Sequence, residues 1–128
     1  MKLWIDDIRP APDGYLWIRS VNVAKAAIIE LETQYAKCGI YAHKEMFAEA
    51  PLHRANALSL LKHLLKIEVI DIDHDAGTFA VNGGDYIKLL DWLEETGRNY
   101  PIRIHSMNPV GVENMRRIIQ RNSWTEVE

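Results

Sequence analysis

Cysteine occurs once, at Cys38, in a chain of 128 residues. A single thiol forms no intramolecular disulfide, and this usage fits a reducing, cytoplasmic compartment. Paired-cysteine and HExxH spacings are absent, so a zinc site has no support. Walker loops and GxGxxG turns are absent as well. The apolar runs are too short to span a bilayer, and no membrane partner is expected. Asp6 and Asp7 interrupt the first apolar run, so no signal peptide is expected. Positive charge is also lacking: the net charge is −3. That argues against a protein that grips nucleic acid by bulk electrostatics and leaves room only for a local basic patch. No lysine follows Lys88.

What remains is ordinary globular composition, 48% hydrophobic and 26% charged, in a length that suits one domain. Lys2 to Ile5 reads as a short buried strand, and Tyr15 to Arg19 as an edge strand. Ser20 is placed to cap a helix from about Val21 to Lys37, with Gly39 ending it. A second helix is expected from Arg54 to Lys66, with Leu58, Leu61, Leu64 and Leu65 as its stripe. Between them, Tyr41, Met46 and Phe47 need burial without a clean period. Ile67 to Ile72 reads as a central strand, apolar on both faces. After a glycine-bearing loop, Asp85 caps a helix to about Thr96. Ile102 to His105 is a further strand, and Asn108-Pro109 opens the last helix. Trp124 to Val127 reads as a last short strand. Strands alternating with helices predict an α/β domain of three layers with a mostly parallel sheet.

In such sheets ligands sit beyond the carboxyl ends of the strands. Three strand ends are polar here: Asp6-Asp7, Asp71-Ile72-Asp73-His74-Asp75, and His105-Ser106. Asp6, Asp7 and Asp73, with Asp75 beside them, are candidate ligands of a divalent cation, magnesium by preference for carboxylate oxygen. Taken alone, Asp6-Asp7 also fits a solvated acidic loop. His74 and His105 are the candidate general acid and base. Arg9, Ser106, Asn108 and Gly111 are candidate phosphate contacts, since a helix start offers free N–H groups to an anion. Asn108 as a simple helix cap is the competing reading.

Four blocks carry a resemblance. Leu3-Trp4-Ile5-Asp6-Asp7-Ile8-Arg9-Pro10-Ala11-Pro12, Ile72-Asp73-His74-Asp75, Gly84-Asp85-Tyr86 and Ile104-His105-Ser106-Met107-Asn108-Pro109-Val110-Gly111 resemble the cyclic-phosphate processing receiver domain family. The resemblance covers about residues 1–37 and 67–128. It implies a receiver-like, flavodoxin-like topology for one domain, 1–128, with an inserted helical segment at about 38–66. It further implies a role on cyclic phosphates, such as 2′,3′-cyclic ends of RNA or cyclic nucleotides. By the same match, Asp6, Asp7 and Asp73 fall on the receiver's acidic pocket and phosphoacceptor, and Ser106 on its phosphate-reading hydroxyl. The chain departs from ordinary receivers in lacking a late lysine.

Two functions follow as expectations. One is a phosphodiester hydrolase, with or without a metal, in which His74 and His105 move protons beside Asp73. The other is a signalling or pseudo-receiver module. There Asp73 takes a phosphoryl group, or the pocket binds a nucleotide or a protein without turnover. A protein partner is expected to use 38–66.

Overall fold

A computed structural model describes residues 1–47 and 52–128, with side chains for 1–38, 57 and 59–128. Four strands form one sheet: β1 (Lys2–Ile5), β2 (Tyr15–Ile18), β3 (Val69–Ile72) and β4 (Ile102–Ile104). Their order is β2-β1-β3-β4 and every pairing is parallel. The helices among the described residues are α1 (Val21–Phe47), α2 (Leu52–Leu65), α3 (Ile87–Glu95) and α4 (Pro109–Arg121). A 3-10 helix covers Gly77–Asn82. The expected last strand shrinks to one parallel bridge between Ile102 and Glu126.

The chain falls into two compact units, Met1–Ala26 with Ile67–Glu128, and Ala27–Lys66. The first holds the sheet. One sheet face is apolar, with Leu3, Ile5, Ile70, Ile72 and Ile102 fully buried. The other face is not, because period-two alternation turns Trp4, Asp71 and Arg103 the opposite way. These three stand side by side in register. The expectation of a β3 strand apolar on both faces therefore fails at Asp71, which is 0% exposed. α3 packs Leu89, Leu90 and Leu93 inward, and α4 packs Met115, Ile118 and Ile119. Ser20 caps α1 by accepting from the Val23 N–H at 3.2 Å.

The second unit holds the rest of α1 and all of α2. Gly39 does not end α1, because one interior glycine costs only about 1 kcal/mol and a continuous helix absorbs it. The Lys62 ammonium lies 4.9 Å from the Tyr35 ring centre. Leu61 and Leu64, expected on a buried stripe, are exposed. The side chains of Tyr41, Met46, Phe47 and Leu58 lie outside the described residues, as does most of the partner surface expected at 38–66. No helix among the described residues is long and apolar enough to cross a membrane.

Candidate functional site

Register builds the site. Ile5 stands opposite Ile18 on one side and Ile72 on the other, and Ile72 stands opposite Ile104. The next residue on each strand is therefore Asp6, Arg19, Asp73 or His105, four neighbours on one sheet edge. Backbone bonds carry the ladder one step further, from Asp6 N to Ile18 O, Asp73 N to Ile5 O and His105 N to Ile72 O.

The His105 ring is enclosed. Its Nδ1 lies 2.5 Å from Asp71 Oδ1 and its Nε2 lies 3.0 Å from Asp6 Oδ2. The ring also stacks on Trp4, with centres 3.8 Å apart and planes 6° from parallel. Each ring nitrogen therefore faces a carboxylate oxygen. Such a buried charge set holds together only because each member has its partner.

Arg9 links this set to Asp73. Its Nε donates to Asp6 Oδ2 at 3.0 Å, and its Nη2 donates to Asp73 Oδ2 at 3.2 Å and to the His105 carbonyl at 2.9 Å. Asp6 Oδ1 also accepts the backbone N–H groups of Ile8 and Arg9. Burial pushes the Asp6 carboxyl up, but those N–H bonds, the His105 ring and the Arg9 charge outweigh it. The group is held below its ordinary value. Burial works against the Arg9 charge too, yet the bond to Asp73 and the two carboxylates raise its pKa. Two indoles peg the loop: Trp4 Nε1 donates to the Arg9 carbonyl and Trp17 Nε1 to the Asp6 carbonyl, each at 2.8 Å.

Asp6, Asp7 and Asp73 each bring a carboxylate oxygen within 4.8 Å of the others. Their capacities differ. A carboxylate offers about four lone-pair sites. Asp6 uses four, on two backbone N–H groups, Arg9 and His105. Asp73 uses two, on the His74 N–H and Arg9. The Asp7 carboxylate accepts no hydrogen bond among the described residues. Gly77, in the left-handed region at φ +54°, lies so close to Asp7 Oδ2 that no Cβ fits there. Asp75 stands apart from this trio, 61% exposed in its side chain, and accepts from His74 Nδ1 at 2.9 Å.

His74 faces the start of α4. Gly111 packs onto the imidazole, where a Cβ would overlap the ring. Asn108 caps α4 by accepting from the Gly111 N–H at 3.0 Å, and its Nδ2 lies 3.4 Å from His74 Nδ1. The Gly111 N–H is thereby occupied. Ser106 Oγ accepts from the Asn108 N–H at 3.1 Å. In the tautomer whose Nδ1 donates to Asp75, Nε2 is the ring's proton acceptor.

Sequence reasoning placed Asp71 in the polar end of β3 without a role, and gave none to Trp4, Trp17 or Arg19. Period-two alternation does send Asp71 to the Asp73 face, but its partner depends on the strand register. Arg19 donates from Nε and Nη2 to the Asp7 carbonyl, at 3.0 and 2.6 Å. Tyr86 donates its hydroxyl to the Arg19 carbonyl at 2.8 Å. Burial, with the charges of Asp7, Asp6 and Asp73, raises the Tyr86 pKa and keeps that hydroxyl protonated.

An all-parallel sheet with acids gathered at its carboxyl edge defines a receiver-like, flavodoxin-like domain. The chain belongs to the cyclic-phosphate processing receiver domain family, whose model matches residues 44–121, more than half of the chain. The match takes in β3, β4, α3, α4 and the 44–66 segment, and stops short of β1 with Asp6, Asp7 and Arg9. No curated protein and no solved structure matches the chain.

Proposed function

We propose that this domain hydrolyses cyclic phosphodiesters, such as a 2′,3′-cyclic nucleotide or RNA end, at the carboxyl edge of its sheet. The reading rests above all on one observation: aligned strand ends bring Asp6, Asp73 and His105 together, with Arg9 bonded to all three. Arg9 has five N–H groups, and its Nη1 pair has no partner among the described residues, so it is available to phosphate oxygens. Ser106 and Asn108 flank the same edge. His74 Nε2 takes a proton from the attacking water, whose oxygen bonds to phosphorus. One ring P–O bond breaks, and the departing oxygen takes a proton from solvent. His105 acts from behind, as the ring that fixes Asp6 beside Arg9.

The acidic trio fits a magnesium-class ion unevenly. Asp7 and Asp73 have open lone pairs and would hold it, while Asp6 contributes charge and Asp75 belongs to His74. When bound, such an ion supplies Lewis-acid stabilisation of a phosphoryl oxygen. A second reading has a specific observation behind it. The Arg9 guanidinium sits on Asp73 at 3.2 Å, giving that carboxylate the cationic partner a phosphoacceptor needs.

The test is incubation with 2′,3′-cyclic nucleotides, with and without magnesium, beside incubation with acetyl phosphate. Ring opening to a nucleoside monophosphate, lost in His74→Ala, is the expected result. An acid-labile phosphoprotein, lost in Asp73→Asn, without any ring opening would replace the hydrolase with the signalling module.

A further inference from the structure

An open cleft of about 460 Å³ lies beside the acidic edge, between the end of β2, the first turn of α1 and the 3-10 helix. It falls within the range of roughly 300–1,000 Å³ common for small-ligand sites. We infer that this cleft is a nucleobase subsite, seating the base of the nucleotide whose cyclic phosphate is held by Arg9 beside Asp7 and Asp73. The inference rests on the hydrolase reading and adds the surface that recognises the base.

Its walls carry the argument. The Arg19 guanidinium lies over both Trp17 and Phe79, with its carbon 4.8 and 4.6 Å from the two ring centres. Asn22 and Asn82 supply exposed amide groups to the lining, and Ser20 lies buried behind them as the α1 cap. Planar rings, a flat cation and amides that both donate and accept match the faces and edges of a base. Among the described residues no acid lines the cleft, which disfavours a basic peptide. Trp17 stays 37% exposed even with Arg19 over its ring, so part of the indole is open to a ligand.

The cleft is also built onto the acidic edge. Arg19 bonds the Asp7 carbonyl, and Trp17 bonds the Asp6 carbonyl. The 3-10 helix begins at Gly77 against the Asp7 carboxylate and carries Phe79 and Asn82 into the cleft. At a rise of about 2.0 Å per residue, those two lie roughly 4 and 10 Å along its axis from Gly77. Gly83, at φ +117°, then closes onto Val21 and Asn22, where a Cβ would meet them at 2.8 and 2.7 Å. The path from acid to aromatic wall therefore suits a single nucleotide laid from phosphate to base.

The experiment is an NMR titration of the full chain with 2′,3′-cyclic AMP, with adenosine and with base-free glycerol 1,2-cyclic phosphate. The cyclic nucleotide should shift the side-chain amide signals of Asn22 and Asn82. It should bind at least about tenfold more tightly than the base-free ester, the scale of one stacked base. In Phe79→Ala and in Asn82→Ala that ratio should fall toward one. Equal affinity for both esters in the wild type, or a ratio kept in both variants, would overturn the subsite. Adenosine alone should shift the same amides. If it does so while no ring opening is detected, the hydrolase reading fails and the base subsite stands. A short RNA ending in a 2′,3′-cyclic phosphate separates the sources: tighter binding than the mononucleotide marks a chain end, equal or weaker binding a free nucleotide.

Discussion

Asp71 carries more of the site than its place inside a strand suggests. It is fully buried and holds His105 Nδ1, while Asp6 holds Nε2 and Trp4 covers the ring face. Removing one partner of such a set strands a buried charge, which costs more than the pair itself contributes. Asp71→Leu is therefore expected to lower unfolding free energy by about 3 kcal/mol, read by urea denaturation at neutral pH. A loss under about 0.5 kcal/mol would mean that His105 is not clamped. The candidate residues at the strand ends were legible because each follows an apolar run within its own segment. Asp71, Trp4 and Arg19 were not, because their partners lie on other strands and only register joins them. His74 and Gly111 show the same limit. The sequence offers both as candidates, yet only the packing of α4 onto the imidazole explains why the helix needs a glycine there.

The helices differ in how far local signals define them. Asn108-Pro109 opens α4 as expected, because a cap and a first-position proline act within one turn. Asp85 does not cap α3. Its carboxylate accepts the Ala76 N–H at 3.0 Å, and the helix begins after Tyr86. The far ends of α3 and α4 are tied by Glu94, which accepts from Arg121 Nε and Nη2 and from Asn122. The Arg121 and Asn122 bonds hold the Glu94 carboxyl at about 2, against an ordinary 4.5. A depressed carboxyl stabilises the fold above its unfolded pKa and loses that contribution as pH falls through the folded value. Glu94→Gln should thus be less stable than wild type at pH 7, with the difference fading between 4.5 and about 2. Urea melts of both proteins across that range check it, and a difference that persists at the acid end would contradict the tie.

At the scale of the molecule, sheet class and order of elements follow from alternating patterns, and the parallel sheet agrees with them. The division into units does not read from the sequence, since α1 runs unbroken from one into the other. The acidic edge makes a prediction about metal that separates its members. A ligand that binds only the folded state raises the melting temperature with its concentration. Magnesium should raise the melting temperature of the wild type. Asp7→Asn should abolish that rise without lowering the metal-free value, because the Asp7 carboxylate accepts no hydrogen bond among the described residues. Asp6→Asn should lower the metal-free melting temperature itself, since it weakens four hydrogen bonds. A magnesium-dependent rise retained in Asp7→Asn would place the ion elsewhere.

The most direct measurement is a double-mutant cycle on the opening of 2′,3′-cyclic AMP, using His74→Ala, Asp73→Asn and the two combined. Groups that act as one unit lose their effect together. Each single variant should lower kcat/KM by about a hundredfold, and the double should fall little further. Losses that multiply to about ten-thousandfold, or singles that keep wild-type rates, would contradict a single shared pocket.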